Sequence, residues 1–114
     1  MRSIALGAVA GVLVVALSAP ASAQDKTKIE LGKTLFTSQK CTLCHSIAGK
    51  GNPKGQLDEA VGKLTAADMR AWITDANGMT AKTKATRKPA MKQFALPKDD
   101  VDALVAYLSS IKKP

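Results

Sequence analysis

Histidine occurs once and cysteine only twice in this chain of 114 residues. A lone His45 excludes any site that needs two imidazoles. It also leaves no constellation for acid–base or nucleophilic catalysis, because the acidic residues fall mostly in the first turns of predicted helices. Cys41 and Cys44 are too few for a disulfide framework, and a bridge between them would close a loop too short to stabilise much. Aromatic residues are equally scarce: Phe36, Trp72, Phe94 and Tyr107 are the full set. That excludes the stacking surface on which single-stranded nucleic acids bind. Strict apolar–polar alternation is missing too, so no strand is predicted and the fold class is all-α.

The scarce residues are contiguous. Cys41-Thr42-Leu43-Cys44-His45 places two thiols, a two-residue spacer and the sole histidine in one run. This is the signature of covalent haem attachment. The spacer on a short turn sets both thiols to form thioether bonds to the vinyl groups of one haem, and the next residue carries the proximal imidazole. The other uses of such residues fit less well. A thiol–disulfide pair would adjoin a βαβ pattern, and a structural zinc takes four ligands where three are at hand. One haem c is therefore expected, bound through Cys41 and Cys44 with His45 as metal ligand.

The amino terminus reads as an export signal: Arg2, an uncharged run from Ile4 to Leu17, then Ala21-Ser22-Ala23 in the small-residue cleavage pattern. The run is shorter than the roughly 20 residues a bilayer requires. Residues 1–23 are expected to be cleaved on export to the periplasm, leaving residues 24–114 as a single soluble domain with no stable membrane insertion. Removing 23 residues from 114 leaves 91, and losing Arg2 reduces the net charge from +8 to +7. A chain of that size is marginal on its own, and a haem would contribute a large apolar body for short helices to pack around.

Three helices are predicted. Ile29, Leu31, Leu35 and Phe36 mark one over Lys28–Lys40, with Gly32 inside it; a glycine there costs about 1 kcal/mol relative to alanine and suits close approach of another helix. Ser46–Gly55 is rich in breakers and reads as loop. A capping box at Thr65 and Asp68, with Leu64 and Met69 as a staple, starts a second helix, whose inward face is Met69, Trp72 and Ile73. Asn77-Gly78 is expected to end it. Thr80–Lys92 reads as an extended basic loop. The third helix starts at Pro97, with Asp99 and Asp100 in its first turn and Lys112 and Lys113 at its far end. Leu104, Tyr107, Leu108 and Ile111 form its stripe, flanked by Val101 and Val105.

With one histidine, bis-histidine coordination within one chain is excluded. Met69, Met79 and Met91 remain as thioether donors once Met1 leaves. Met69 lies on an apolar helix face and is assigned to the core. Met91 follows Lys88-Pro89-Ala90, where proline limits the chain's freedom, and is preferred to Met79, with a sixth position free of methionine also open.

From about Ile29 to Lys113 the chain resembles the class I monohaem cytochromes c, in particular small bacterial periplasmic ones. Gly32, Lys33, Leu35 and Phe36 are similar to that family's N-terminal helix, CTLCHSIAGKG to its attachment segment, Lys88-Pro89-Ala90-Met91 to its axial-methionine loop, and 102–108 to its last helix. The resemblance implies three to five helices around one covalently bound haem, the terminal helices crossing with Tyr107 against Gly32, and one haem edge exposed. It also implies a tryptophan, here Trp72, beside a haem propionate. One departure stands out. Where many relatives have a proline after the loop's last glycine, Gln56 follows Gly55, and the Gln56 carbonyl is expected to accept the proximal imidazole's hydrogen bond.

His45 with Met91 would leave no open coordination site, which suits one-electron transfer and no enzymatic activity. The expected function is a monomeric soluble carrier shuttling electrons between redox partners. The alternatives are a tightly bound subunit of a periplasmic dehydrogenase and a five-coordinate haem sensor. Between Asp75 and Asp99 lie six bases (Lys82, Lys84, Arg87, Lys88, Lys92 and Lys98) and no acid. Such a collar would steer encounter with partners that are acidic at the docking surface. Because the haem is expected to complete the core, haem-free protein should show no cooperative thermal transition by circular dichroism, whereas the haem-loaded protein should.

Overall fold

Ile29, Gly32 and Phe36, spaced i, i+3, i+7, line the inward face of the first helix, α1 (Ala21–Ser38). In the computed structural model, which describes residues 7–15 and 21–112, α1 begins seven residues ahead of the predicted Lys28. No glycine or proline interrupts residues 21–27, so the helix runs on. The expected cleavage point after Ala23 falls within its first turn. Of the uncharged run from Ile4 to Leu17, residues 4–6 and 16–17 lie outside the described residues, and residues 7–15 are exposed without regular structure. Among the described residues no helix is long and apolar enough to cross a membrane.

α1 gives way at Lys40, which takes the left-handed conformation (φ 60°) and turns the chain into a 3-10 turn at Cys41–Leu43. The loop that follows holds two short strands where none was predicted, β1 (Ser46–Ile47) and β2 (Lys50–Gly51), paired antiparallel. Two-residue strands are too short to leave a period-two signature. Ala48 and Gly49 both take positive φ between them, and Asp58 Oδ1 holds the turn by accepting from the Ala48 N–H at 2.9 Å. The all-α class stands, with this hairpin added.

The capping box forms as expected at the start of α2 (Ala66–Thr74). Thr65 Oγ1 accepts from the Asp68 N–H at 3.1 Å, and Asp68 Oδ2 accepts from the Thr65 N–H at 3.0 Å. The bonds from the Thr65 backbone and hydroxyl hold the Asp68 carboxyl below the usual carboxylate range. The end of this helix differs from expectation. α2 stops at Thr74, and Asn77-Gly78 sits in the first turn of a further helix, α3 (Ala76–Thr83). Asp75 is its cap, accepting from the Gly78 N–H at 3.2 Å. A Cβ on Gly78 would press into the Asp75 carboxylate, so this glycine makes room for a cap instead of ending a helix. The first four residues of the supposed basic loop are thereby helical.

The last helix, α4 (Lys98–Ser110), has Pro97 at its N-cap and Asp99 and Asp100 in its first turn. Lys112 does not stay at its own helix end; its Nζ donates to the Leu64 carbonyl at 3.0 Å. Lys113 lies outside the described residues. Asp102 ties α4 to α2 through Arg70 and holds Lys98 at 2.8 Å; Lys98 first, then Arg70, lower its pKa.

The core is built from Phe36, Ile47, Val61, Met69, Ile73, Val101, Leu104 and Val105. α1 packs against α4 at Gly32. A Cβ there would collide with the Ala103 carbonyl and meet Tyr107 Cβ at 2.7 Å, and Phe36 and Tyr107 stack edge to face with centroids 5.9 Å apart. The obstacle is backbone, which cannot rotate away. Overpacking of this kind costs roughly 1–3 kcal/mol, while alanine's helix propensity returns only about 1 kcal/mol. Gly32→Ala should therefore lower the denaturation midpoint of the haem-loaded protein in urea.

Candidate haem-binding site

The turn at Cys41–Leu43 is closed by the Cys44 N–H on the Cys41 carbonyl (3.2 Å) and the His45 N–H on the same oxygen (2.9 Å). Cys41, Cys44 and His45 emerge from it half-buried, facing one cleft. Asn52 stitches the following loop back onto the turn. Its N–H donates to the Thr42 and His45 carbonyls (3.0 and 3.1 Å), and its amide donates to the Leu43 carbonyl at 3.0 Å.

His45 Nδ1 lies 3.1 Å from the Gly55 carbonyl oxygen. A carbonyl only accepts, so Nδ1 carries the proton and Nε2 is left with its lone pair. The acceptor is Gly55, one residue earlier than the expected Gln56. Gln56 is occupied otherwise: it pairs with Ser46 in an isolated bridge, and the next N–H, of Leu57, donates to the Ser46 carbonyl at 2.9 Å. Burial lowers the imidazole pKa; the Gly55 bond opposes that and the Arg87 charge adds to it. The ring is thus kept neutral, the form that ligates metal. Burial pushes the Cys41 thiol up, and the two cysteines are not joined in a disulfide.

The cleft encloses about 510 Å³, within the range of roughly 300–1,000 Å³ typical of cofactor sites. Apart from the motif itself its wall is overwhelmingly apolar, drawn from α1, the segment 57–64, α2, α4 and the segment after α3, with Thr80 of α3 at its edge. Met91 and Trp72 both line it, half-buried. Met69 contributes to the wall while buried in the core, and Met79 is buried on α3 outside the lining. Two thiols, an imidazole with a free Nε2 and the thioethers of Met69 and Met91 around an apolar cleft are a donor set that fits haem. Among the described residues no group of three or more His, Cys, Asp and Glu side chains forms a metal cage.

The family model for cytochrome c matches residues 29–112. The chain belongs to the cytochrome c family. It binds one haem c covalently through Cys41 and Cys44. A similar protein is cytochrome c oxidase subunit 2 of Alkalihalophilus pseudofirmus, 27% identical over 108 residues. That match takes in 87% of this chain and 30% of the oxidase subunit, so the cytochrome spans less than a third of that relative. No solved structure matches.

The charged residues on the cleft wall are Lys63 and Arg87. With two cations and no acid, the wall favours whichever redox state carries less positive charge, the reduced one. By sequence Arg87 is one base of a collar. In the fold its Nη2 donates to the Cys44 carbonyl at 2.6 Å, a contact spanning 43 positions. No local pattern announces it.

Proposed function

We propose that this cytochrome c is a soluble periplasmic one-electron carrier without enzymatic activity, with His45 and Met91 as the axial ligands. Haem c, when bound, supplies the one-electron Fe(II)/Fe(III) couple. The protein's part is to grip, orient and shield. His45 is aimed by the Gly55 carbonyl, and a hydrogen bond to the far ring nitrogen raises the donor strength of the near one. Met79 is buried on α3 outside the lining. Of the two methionines that line the cleft, Met69 is buried in the core with its sulfur accepting from Ser109 Oγ at 3.7 Å, which leaves Met91. That single placement supports the axial assignment best, since a thioether ligand fills the sixth position and raises the potential. Apolar walls exclude water and keep the couple from side reactions with small ligands.

The loop carrying Met91 is fixed at its far end. The Phe94 N–H donates to the Ile73 carbonyl at 3.3 Å, and Gln93 Oε1 accepts from the Asn77 N–H at 3.4 Å. Around it Lys82, Lys84, Lys88, Lys92 and Lys98 are all exposed. This supports docking to partners with acidic surfaces, by a monomer whose export rests on the signal pattern of residues 1–23.

A second reading has one observation behind it. The oxidase subunit that resembles this chain is more than three times its matched length, which supports a cytochrome held permanently on a larger redox complex. Purification from the native envelope separates the two: a carrier comes away alone, a subunit brings its complex.

Oxidised wild type should show the Fe(III)–thioether charge-transfer band in the visible spectrum, and Met91→Ala should abolish it while Met79→Ala leaves it. Loss of the band in Met79→Ala instead would move the sixth ligand. Reversing charge with Lys84→Glu and Lys88→Glu should slow electron transfer to an acidic partner by about tenfold at low salt, with a weaker dependence on ionic strength in stopped-flow measurements.

A further inference from the structure

Arg87 stands four residues before Met91, and its guanidinium reaches the two backbone groups that frame His45. Nη2 donates to the carbonyl of Cys44, the residue immediately before the histidine. Nη1 lies against Gly55, whose carbonyl receives the imidazole proton: a Cβ on Gly55 would collide with both Nη1 and the Cys44 oxygen. Gly55 shows no positive φ, so glycine is required there for space. The empty Cβ position is what lets the guanidinium close onto the attachment turn.

We propose that Arg87 is a positioning residue for both axial ligands at once, clamping the start of the Met91 loop onto the backbone that orients His45. The proposal rests on Met91 being the sixth ligand. The loop's other end is fastened to α2 and α3 through Phe94 and Gln93. Without Arg87 the last tie before Met91 is the Ala85 N–H on the Thr80 carbonyl at 3.0 Å, the free span up to Gln93 lengthens, and Met91 leaves the cleft more often. Arg87 also keeps a fixed cation on the cleft wall, which disfavours the oxidised state. Two effects follow from one side chain, a slower opening and a higher potential, and the lysine variant separates them. A lysine keeps the charge, but as a point ammonium it has no planar fork to span the Cys44 carbonyl and Gly55 together.

The test compares haem-loaded wild type with Arg87→Gln, Arg87→Lys and Lys54→Gln. The last removes one exposed charge beside Gly55 and has no part in the clamp. Three quantities are read: the rate at which free imidazole binds the oxidised protein, the pH at which the thioether band disappears, and the midpoint potential. Arg87→Gln should bind imidazole about three- to tenfold faster, the factor expected for one lost hydrogen bond. It should also lose its band at lower pH and have a lower potential. Arg87→Lys should bind imidazole faster while keeping most of the potential, and Lys54→Gln should match wild type in all three.

Equal effects in Arg87→Gln and Lys54→Gln would reduce the clamp to a charge effect and overturn the proposal. So would an Arg87→Lys protein with the wild-type imidazole rate, a result that stands even if Arg87→Gln fails to mature. A wild type lacking the thioether band would overturn the Met91 assignment and this proposal with it; a wild type with the band and unaltered Arg87 variants overturns this proposal alone.

Discussion

The hydrogen bond from His45 Nδ1 to the Gly55 carbonyl is the constraint on which the site depends. It commits the proton to one ring nitrogen and leaves the other as a donor to metal. It also sets the demands on the loop between residues 45 and 55. The loop must return to within hydrogen-bond reach of the residue that starts it, and it does so with a two-residue hairpin, a left-handed Ala48-Gly49 turn and a short 3-10 turn at Pro53–Gly55. Asn52 then satisfies the carbonyls this tight path exposes.

The helices serve that loop by carrying the cleft's apolar walls. α1 and α4 approach closely because Gly32 has no side chain and the Ala103 carbonyl fills the place where one would be. α2 is fastened to α4 by Arg70 and Asp102, and Lys112 fastens the chain after α4 to the residue before the Thr65 cap. Exposed ion pairs contribute little individually; their use here is to fix how α2, which brings Trp72 to the cleft, lies against α4.

Polarity is divided with the same economy. The cleft carries no acid and two cations, and the exposed bases cluster on the segment that bears Met91. One distribution of charge thus bears on the preference for the reduced state and, under the proposed carrier role, on the choice of partner. The proposed Arg87 clamp adds a third, since that cation is also a mechanical link between the two ligand-bearing segments.

Much of this was legible in the sequence because its signals are local. The attachment motif is five consecutive residues, the Thr65–Asp68 capping box spans four, and the stripe of α4 repeats within one helix; each forms where expected. Gly32 could be read as a contact because a glycine inside a helix is unfavourable unless something needs its space. Other features were settled by contacts between distant parts of the chain. The imidazole's acceptor moved from Gln56 to Gly55 because pairing with Ser46 took Gln56 out of line. The Asn77-Gly78 pair is a different case: the Asp75 cap lies only three residues from Gly78, but an Asn-Gly pair marks a helix end as readily as a vacant Cβ position beside a cap. The sequence by itself determined the haem linkage and the all-helical class, since chemistry and periodicity are written residue by residue. Only the tertiary structure decided that Met69 and Met91 line the cleft while Met79 does not, and what Arg87 touches, because those depend on where separate segments meet once the core has closed.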